Sequence, residues 1–304
     1  MGWSPAERSM ASSLKGEKSS PNKRVELAIA GDLHDQWDGR DEELLRKLAP
    51  DGFLVVGDLS NGHPRIPRAL ARLPLPVACV LGNHDCGHDS TGERLRRQLQ
   101  LLGDRHCGWG LRELRPPGVA VVGARPATAG GGYQLSKAVR AVYGAVELEE
   151  SVHRIHAAAI AADPTLPLIL LAHCGPVGLG SHAKDPCGRD WKLPSCDWGD
   201  QDLAMAIERI RRERALPLVV FGHMHHQLRR GGERITFARD SRGTMYLNAA
   251  CAPRHGVDPQ GRCLRHLSWV RLCGSGTVEQ VSHRWYGLDG TLLYEQLLWP
   301  PSRP

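Results

Sequence analysis

The sequence predicts an α/β protein with mixed sheets, formed by one domain over residues 24–304. Up to residue 221, short apolar runs of strand length alternate with stretches of amphipathic helical pattern. This alternation is typical of βαβ units and therefore of a parallel sheet. After residue 234, strand-like runs follow one another, and glycine-containing turns separate some of them, as in antiparallel hairpins. No internal repeat or linker divides the two parts.

The composition is that of a globular domain. The chain has 304 residues, of which 41% are hydrophobic, and can bury a sizeable core. No uncharged apolar run reaches the ~18 residues that suggest a membrane span, so we expect no membrane association. Residues 1–23 are rich in Ser, Lys and Gly and lack the apolar segment of a secretory signal, so we interpret them as a disordered leader. We expect a cytoplasmic protein, or a plastid protein if this leader is a transit peptide.

The charge and the cysteines restrict the function classes. The net charge of +6 is compatible with attraction to phosphate-bearing ligands or nucleic acid, but we interpret it as compositional drift in an arginine-rich chain. No block of five or more consecutive basic residues is present. The nine cysteines are odd in number and include no Cys-x-x-Cys pair, which argues against a zinc ribbon or a disulfide framework. We expect free thiols in a reducing compartment.

The elements of the parallel part can be placed in order. Strands are predicted at Val25–Ala30, from Gly52 to Asp58, and at Val77–Leu81, Arg112–Leu114, Val119–Gly123, Pro167–Ala172 and Leu216–Phe221. Helices are predicted after a cap at Asp41 and over Arg65–Leu73, Arg94–Leu102, Glu149–Ala162 and Asp200–Ala215. Antiparallel strands are predicted at Ile235–Ala238, Thr244–Cys251, Leu267–Leu272, Thr277–Trp285 and Leu292–Leu298.

Two loops stand out between these elements. The glycine-rich segment Arg125–Gly132 has no helix-opening phosphate fingerprint, and we interpret it as a flexible loop or a wall of a substrate pocket. The segment Cys174–Gly199 is long and has no periodicity, so it is a functional lid or a surface excursion.

Metal-ligand residue types follow five of the predicted strands. Asp58 ends an apolar run that reads as a strand buried on both faces, at the edge where open α/β sheets bind ligands. The others are Asp32 and His34, Asn83 and His84, His173, and His223 and His225. One carboxylate flanked by so many nitrogen and oxygen ligands is what a bridged pair of metal ions requires. We therefore interpret Asp58 as the centre of a two-metal site.

The order of these motifs carries more information than any one of them. They are Asp-x-His at 32–34, Gly-Asp at 57–58, Gly-Asn-His-Asp at 82–85, a lone His at 173 and Gly-His-x-His at 222–225. In this order they resemble the calcineurin-like metallophosphoesterases over about Val25–Leu298, and they look most like an uncharacterised cyanobacterial and plant-type subfamily. The resemblance implies a four-layer α/β/β/α sandwich. It also implies a metal-dependent hydrolase of phosphate mono- or diesters, which is a phosphatase or a phosphodiesterase.

The resemblance further implies a role for each motif residue. One ion would be bound by Asp32, His34, Asp58 and His225, and a second by Asp58, Asn83, His173 and His223, with a bridging hydroxide as the nucleophile. These ligand types favour manganese, with iron, zinc or nickel as alternatives. His84 would assist the leaving group, and Asp85 would orient the His84 ring.

Substrate choice is predicted to depend on the long loop, because it begins directly after His173. Arg189 can pair with a phosphate or carboxylate through its planar guanidinium. Trp191 and Trp198 offer flat apolar faces for a base or ring. We therefore interpret Arg189 and Trp191 as candidate substrate-binding residues.

Two alternatives stay open beside a phosphoester hydrolase. A catalytically degenerate scaffold of the same fold is disfavoured by the complete ligand set and by His84. A nuclease would need a basic stripe or an appended nucleic-acid-binding region, and neither is evident. A phosphoester substrate is therefore the expected partner, and nucleic acid is not favoured.

Overall fold

The computed structural model describes residues 24–300, so the predicted leader 1–23 lies outside the described residues. The helices within them are α1 (Gly39–Leu48), α2 (Arg65–Arg72), α3 (Glu93–Leu102), α4 (Lys137–Tyr143), α5 (Leu148–Ala161) and α6 (Gln201–Ile210). The strands are β1 (Val25–Ala30), β2 (Gly52–Val55), β3 (Val77–Cys79), β4 (Leu111–Leu114), β5 (Val119–Gly123), β6 (Leu168–Cys174), β7 (Leu218–Gly222), β8 (Phe237–Arg239), β9 (Met245–Asn248), β10 (His255–Val257), β11 (Cys263–Leu272), β12 (Val278–Gly287) and β13 (Leu292–Trp299).

The strands form two mixed sheets. The first has seven strands in the order β13-β12-β11-β1-β2-β3, with β10 paired to β11. In it, β1 is parallel to β2 and antiparallel to β11, which places Ala28 between Phe53 and Trp269. The second has six strands in the order β4-β5-β6-β7-β9-β8, and β5, β6, β7 and β9 are parallel neighbours.

Side-chain alternation along the strands divides the interior into three cores. In β1, Leu27 and Ile29 belong to the core between the two sheets, whereas Ala28 and Ala30 belong to the core shared with α1 to α4. A third core packs the second sheet against α5 and α6, with Ile155 at its centre. Because a strand turns successive side chains to opposite faces, three cores require four layers. The predicted α/β/β/α sandwich is confirmed.

The pairing of the last strands differs from the sequence prediction. β9 inserts beside β7 and runs parallel to it, with Leu247 opposite Val220. The segment after residue 234 is therefore antiparallel between β8 and β9 and among β10 to β13, but not throughout. The sequence pattern also does not predict α4 or β10. Apolar alternation identifies a strand but says nothing of its partner, since pairing depends on distant residues.

The start of α1 also differs from the prediction. Asp38 is the N-cap in place of Asp41, and its carboxylate accepts a hydrogen bond from the Arg40 N–H. Asp41 lies in the first turn and accepts a hydrogen bond from the Asp38 N–H, which completes a capping box. Its buried carboxylate is also 2.6 Å from Arg254 Nη1, just before β10. The Asp41 carboxylate therefore joins α1 to the residue that precedes β10 of the first sheet.

Two predictions from composition can be compared with the described residues. Within residues 24–300, no helix combines the length and the apolar character that crossing a membrane requires. All nine cysteines are free thiols, which confirms the expectation drawn from their spacing.

Candidate metal centre and active site

The predicted metal ligands lie at the carboxyl ends of strands from both sheets. Asp32 and His34 follow β1, Asp58 follows β2, and Asn83 follows β3. His173 lies near the end of β6, and His223 and His225 follow β7. Because parallel strands end at the same edge of a sheet, each sheet gathers its own ligands at one edge. The two edges meet at this site, where ligand residues from both sheets lie within hydrogen-bonding distance of one another.

One group of potential ligands consists of Asp32, His34 and His225. Each residue offers one donor atom, and the three atoms lie within 4.8 Å of one another. The Nε2 atoms of His34 and His225 are 3.1 Å apart, and His225 Nε2 is 3.4 Å from Asp32 Oδ1. Nitrogen and oxygen atoms converging at these distances are suited to a divalent ion.

A second group consists of Asp58, His173 and His223, whose donor atoms also lie within 4.8 Å of one another. His173 Nε2 is 3.4 Å from Asp58 Oδ1 and 3.0 Å from Asn83 Oδ1. The buried Nε2 of His223 has no hydrogen-bond partner among residues 24–300. A buried polar atom without a partner is costly, so this nitrogen fits a metal ligand better than a structural side chain.

The Asp58 carboxylate belongs to the second group and also faces the first. Its Oδ1 is 3.4 Å from His173 Nε2, and its Oδ2 is 3.9 Å from His34 Nε2. Each oxygen of one carboxylate thus faces a different group of imidazoles. This arrangement fits the bridging role predicted for Asp58, which stays a prediction.

Hydrogen bonds outside the groups fix the orientation of the ligands. His173 Nδ1 donates to the carbonyl oxygen of Val56 at 2.7 Å, which orients the ring so that Nε2 points toward Asp58 and Asn83. The backbone N–H of His223 donates to both Asp32 oxygens, at 3.0 and 3.1 Å. Such contacts hold ligands in one tautomer and one orientation before a metal binds.

The ligand loops adopt an unusual backbone conformation. Asp32, His34, Asp58 and His223 all have positive φ angles, of 50°, 41°, 49° and 68°. For residues with a side chain, this left-handed region costs roughly 1–2 kcal/mol each. In exchange, the chain turns sharply at each strand end, so that neighbouring side chains can point to the same site. Strain of this kind is concentrated at functional sites.

Glycines at the strand ends allow the ligands to approach the backbone. A Cβ atom added to Gly82 would lie 2.2 Å from Asp58 Oδ1 and 2.6 Å from His173 Cε1. A Cβ atom added to Gly222 would lie 2.4 Å from Asp32 Oδ2. The glycine before each of these motifs therefore permits the close approach of the predicted ligands, because only hydrogen fits there.

The charge state of the site suits divalent cations. Burial opposes ionisation of Asp32, but the hydrogen bond from His225 and the nearby imidazoles outweigh it and lower the pKa of this carboxyl group. Burial lowers the pKa of His223 to about 4, so the ring is neutral at physiological pH and can act as a ligand. The anionic Asp32 carboxylate and the neutral His223 ring both suit a divalent cation.

His84 lies at the mouth of the site. Its ring packs edge-on against the His34 ring, with 5.1 Å between centroids, and its Nδ1 is 3.2 Å from Asn61 Oδ1. The structure does not bring the Asp85 carboxylate to this ring. Asp85 is buried and accepts hydrogen bonds from the backbone N–H groups of Ser60 and Gly82, at 3.0 and 2.8 Å. Asp85 therefore joins the two ligand loops, and Asn61 is the neighbour that orients His84.

A pocket of about 310 Å³ opens beside the two metal-ligand groups. It is lined by Asp58, His84, Ala129, Asp190, Trp191, Trp198, His223, Met224, His225, Gln227 and Arg229. Trp191 lies on its wall, with its ring centroid 6.5 Å from that of His223. Ala129 belongs to the glycine-rich loop, so that loop does form part of a pocket wall.

Arg189 occupies a different position from Trp191. Its guanidinium lies over the Trp198 ring, 4.9 Å from the centroid, and Nη2 donates to the Pro194 carbonyl oxygen at 2.7 Å. Arg189 does not line the pocket, and direct substrate contact by this residue stays a prediction. The arginine that lines the pocket is Arg229. The sequence did not indicate this residue, because it lies outside the long loop and far from it along the chain. Its only sequence signal is its position four residues after His225.

The fold and these paired ligand groups define a metallophosphoesterase-type protein. The sequence matches the calcineurin-like phosphoesterase family over residues 25–227, more than half of the chain. The chain therefore belongs to this family of metal-dependent phosphoesterases. No curated protein matches the chain in sequence.

Solved structures share this fold at low sequence identity. The protein TT1561 of Thermus thermophilus is 14% identical, with a TM-score of 0.51 and coverage of 87% of this chain and 99% of that chain. A dimetal phosphatase from Danio rerio is 14% identical, with a TM-score of 0.49 and coverage of 90% and 98%, respectively. At 14% identity, the likeness to TT1561 concerns the fold alone.

The close approach at Gly82 can be tested with Gly82→Ala. Its φ angle of −96° is accessible to alanine, so the only defect is the added methyl group against Asp58 and His173. We expect the affinity for Mn²⁺, measured by calorimetry, to fall at least ~10-fold, which is the usual loss when the contacts that orient metal ligands are disturbed. Gly39→Ala is the control, because a Cβ there meets nothing within 4 Å. Unchanged Mn²⁺ affinity in Gly82→Ala would contradict the close packing of this loop on the ligands.

Proposed function

We propose that this protein hydrolyses phosphate mono- or diesters by means of two divalent ions. The observation that supports this most directly is the position of Asp58, with one carboxylate oxygen toward each ligand group. We assign Asp32, His34, Asp58 and His225 to one ion, and Asp58, Asn83, His173 and His223 to the other. The separation into two groups of close donor atoms supports this division.

The donor set indicates the class of metal and its contribution. Carboxylate, amide and imidazole ligands without a thiolate suit manganese, iron, zinc or nickel, and we favour manganese. A bound pair of such ions supplies an activated water nucleophile near neutral pH and neutralises charge on a phosphoryl group. The protein holds the ligands in place before binding, because His173 and Asp32 are fixed by backbone hydrogen bonds.

His84 is placed to act on the leaving group. It is the exposed histidine of the site, lines the pocket and lies beside His34. As an imidazolium, it donates from Nδ1 to Asn61 Oδ1 and keeps the Nε2 proton for the leaving-group oxygen. Asp85 acts one step further away, as a positioning residue that holds the loop of His84 against that of Asp58.

The pocket beside the metals suggests the rest of the substrate. Trp191 and Trp198 meet edge-to-face, with 5.3 Å between centroids, and present an aromatic wall. The backbone N–H of Arg229 donates to Asp190 Oδ2 at 2.8 Å, which fixes the start of its side chain at the rim. We propose that a planar organic group lies against the tryptophans and that Arg229 binds a second anionic group.

The activity itself is tested with metal-free protein reconstituted with Mn²⁺. We expect Mn²⁺-dependent hydrolysis of p-nitrophenyl phosphate or bis(p-nitrophenyl) phosphate, and the preferred ester separates monoesterase from diesterase. Asp58→Asn should abolish it and release metal, since the shared anionic ligand is lost. Asp35→Asn, a neighbouring carboxylate outside both groups, is the control. Two bound ions without turnover of either ester would favour the scaffold alternative, and full metal occupancy in Asp58→Asn would contradict bridging.

The role of His84 is tested by varying the leaving group. His84→Ala should retain both metals and lower turnover by roughly 10²–10⁴ for an alkyl phosphate, the usual range for general acid–base catalysis. The loss should be much smaller for p-nitrophenolate, which leaves without protonation. An equal loss for both leaving groups would show that His84 stabilises charge and does not donate a proton.

The pocket proposal is tested with Arg229→Ala. We expect the KM for a nucleoside 3′,5′-bisphosphate to rise about tenfold or more, because a hydrogen bond to a charged group contributes ~1.5–3 kcal/mol. The KM for p-nitrophenyl phosphate should change much less.

Arg230→Ala is the control, because Arg230 is the adjacent exposed arginine and does not line the pocket. Arg189→Ala should have an intermediate effect, through the Trp198 ring that it covers. Equal effects of Arg229→Ala and Arg230→Ala would contradict an anion contact at Arg229.

A further inference from the structure

A second cluster of metal-binding side chains lies outside the catalytic centre. It consists of His226, Cys251 and His266. Each residue offers one donor atom, and the three atoms lie within 4.8 Å of one another. His226 follows β7 and Cys251 follows β9, both in the second sheet, whereas His266 lies on β11 in the first sheet. The cluster therefore bridges the two sheets.

The His226 ring is oriented as a metal-binding histidine usually is. Its Nε2 is 3.0 Å from the carbonyl oxygen of Asn248, and a contact with a carbonyl oxygen requires that Nε2 carry the proton. The lone pair is then on Nδ1 and is available to a metal. The His226 backbone N–H also donates to the Ala250 carbonyl oxygen at 3.1 Å, which brings this residue beside Cys251.

The side chains of His266 and Cys251 are available to an ion. His266 is 3% exposed, lies on a cavity wall, and its ring makes no hydrogen bond with the described part of the chain. The neighbouring His283 provides a contrast, because Ser268 Oγ and Thr236 Oγ1 occupy its two nitrogens at 2.8 and 2.9 Å. Cys251 is a buried free thiol.

The cluster has access to solvent through a cavity of about 480 Å³, whose wall includes His226, Cys251 and His266. An ion could enter by this route, and a water molecule could complete its coordination. Bond lengths of ~2.0–2.3 Å to nitrogen and sulfur place the ligand atoms of one tetrahedral ion roughly 3.3–3.8 Å apart. Donor atoms that all lie within 4.8 Å of one another are compatible with such a site.

We propose that His226, Cys251 and His266 bind a third metal ion, of the Zn²⁺ class, separate from the catalytic pair. Two imidazoles and a thiolate favour zinc, whereas the catalytic centre offers only nitrogen and oxygen. On binding, Cys251 gives its proton to solvent and coordinates as the thiolate. The ion crosslinks the two sheets and fixes the residue next to His225.

Cobalt distinguishes this site from the catalytic one. A thiolate bound to Co²⁺ gives an intense sulfur-to-cobalt charge-transfer band in the near ultraviolet, and the nitrogen and oxygen ligands of the catalytic centre do not. We expect metal-free full-length protein titrated with Co²⁺ to develop this band, with one thiolate per chain. Absence of the band in the wild-type protein would overturn the proposal.

Variants assign the band to this cluster. Cys251→Ser should abolish it and reduce bound zinc by one equivalent per chain, and His266→Gln should weaken or shift it. Cys263→Ser, a partly exposed cysteine on β11, is the control and should retain the band. If Cys251→Ser does not fold, alkylation of wild-type protein with and without Zn²⁺, mapped by mass spectrometry, should show protection of Cys251. A band retained in Cys251→Ser, or no protection of Cys251 by Zn²⁺, would overturn the proposal.

Discussion

The Asp58 carboxylate sets the central constraint on this structure. It is 1% exposed and has imidazoles on both sides, so its charge has lost most of its hydration. A buried carboxylate needs compensating positive charge or hydrogen bonds. Among residues 24–300, the Asp58 carboxylate accepts one hydrogen bond, from the His84 backbone N–H at 2.9 Å. Divalent ions would supply the rest, and this need explains why both sheets bring their loop ends to one place and why Gly82 carries no side chain beside Asp58.

The ligand positions could be predicted from the sequence because they depend on local rules. An apolar run identifies a buried strand, and parallel strands end at a common edge, so Asp32 and Asp58 could be assigned to one site. His173 lies on the second sheet, and the order of the motifs, through the family resemblance, joined it to them. The direction of β9 could not be predicted, because it depends on contacts with β7 across the sheet. The partners of Asp85 could not be predicted either. Its position next to His84 in the sequence suggested a contact between the two side chains, but the buried Asp85 carboxylate accepts hydrogen bonds from backbone N–H groups of two loops.

The conformation of the long loop depends on an arginine that the sequence did not single out. Arg234 is 5% exposed, and its Nη1 donates to the carbonyl oxygens of Ala183, Asp185 and Gly188 at 2.7–2.8 Å. Its Nη2 is 3.6 Å from Asp190. A buried guanidinium that satisfies several loop carbonyls fixes the loop as firmly as a secondary-structure element does. The pocket wall at Trp191 thus depends on a contact between segments more than forty residues apart, which no local pattern reveals.

The segment from His223 to Arg234 connects these features. Within it, His223 and His225 face the catalytic centre, Gln227 and Arg229 line the substrate pocket, and Arg234 holds the long loop. His226 faces the opposite way, toward Cys251 and His266. Successive residues that face different sites can keep precise positions only if the backbone between them is rigid. A zinc ion at His226 would provide that rigidity at the residue adjacent to His225. A zinc ion at the third site would thus help to hold the catalytic ligands in position. Removal of this zinc ion would first weaken the binding of the ion that we assign to His225.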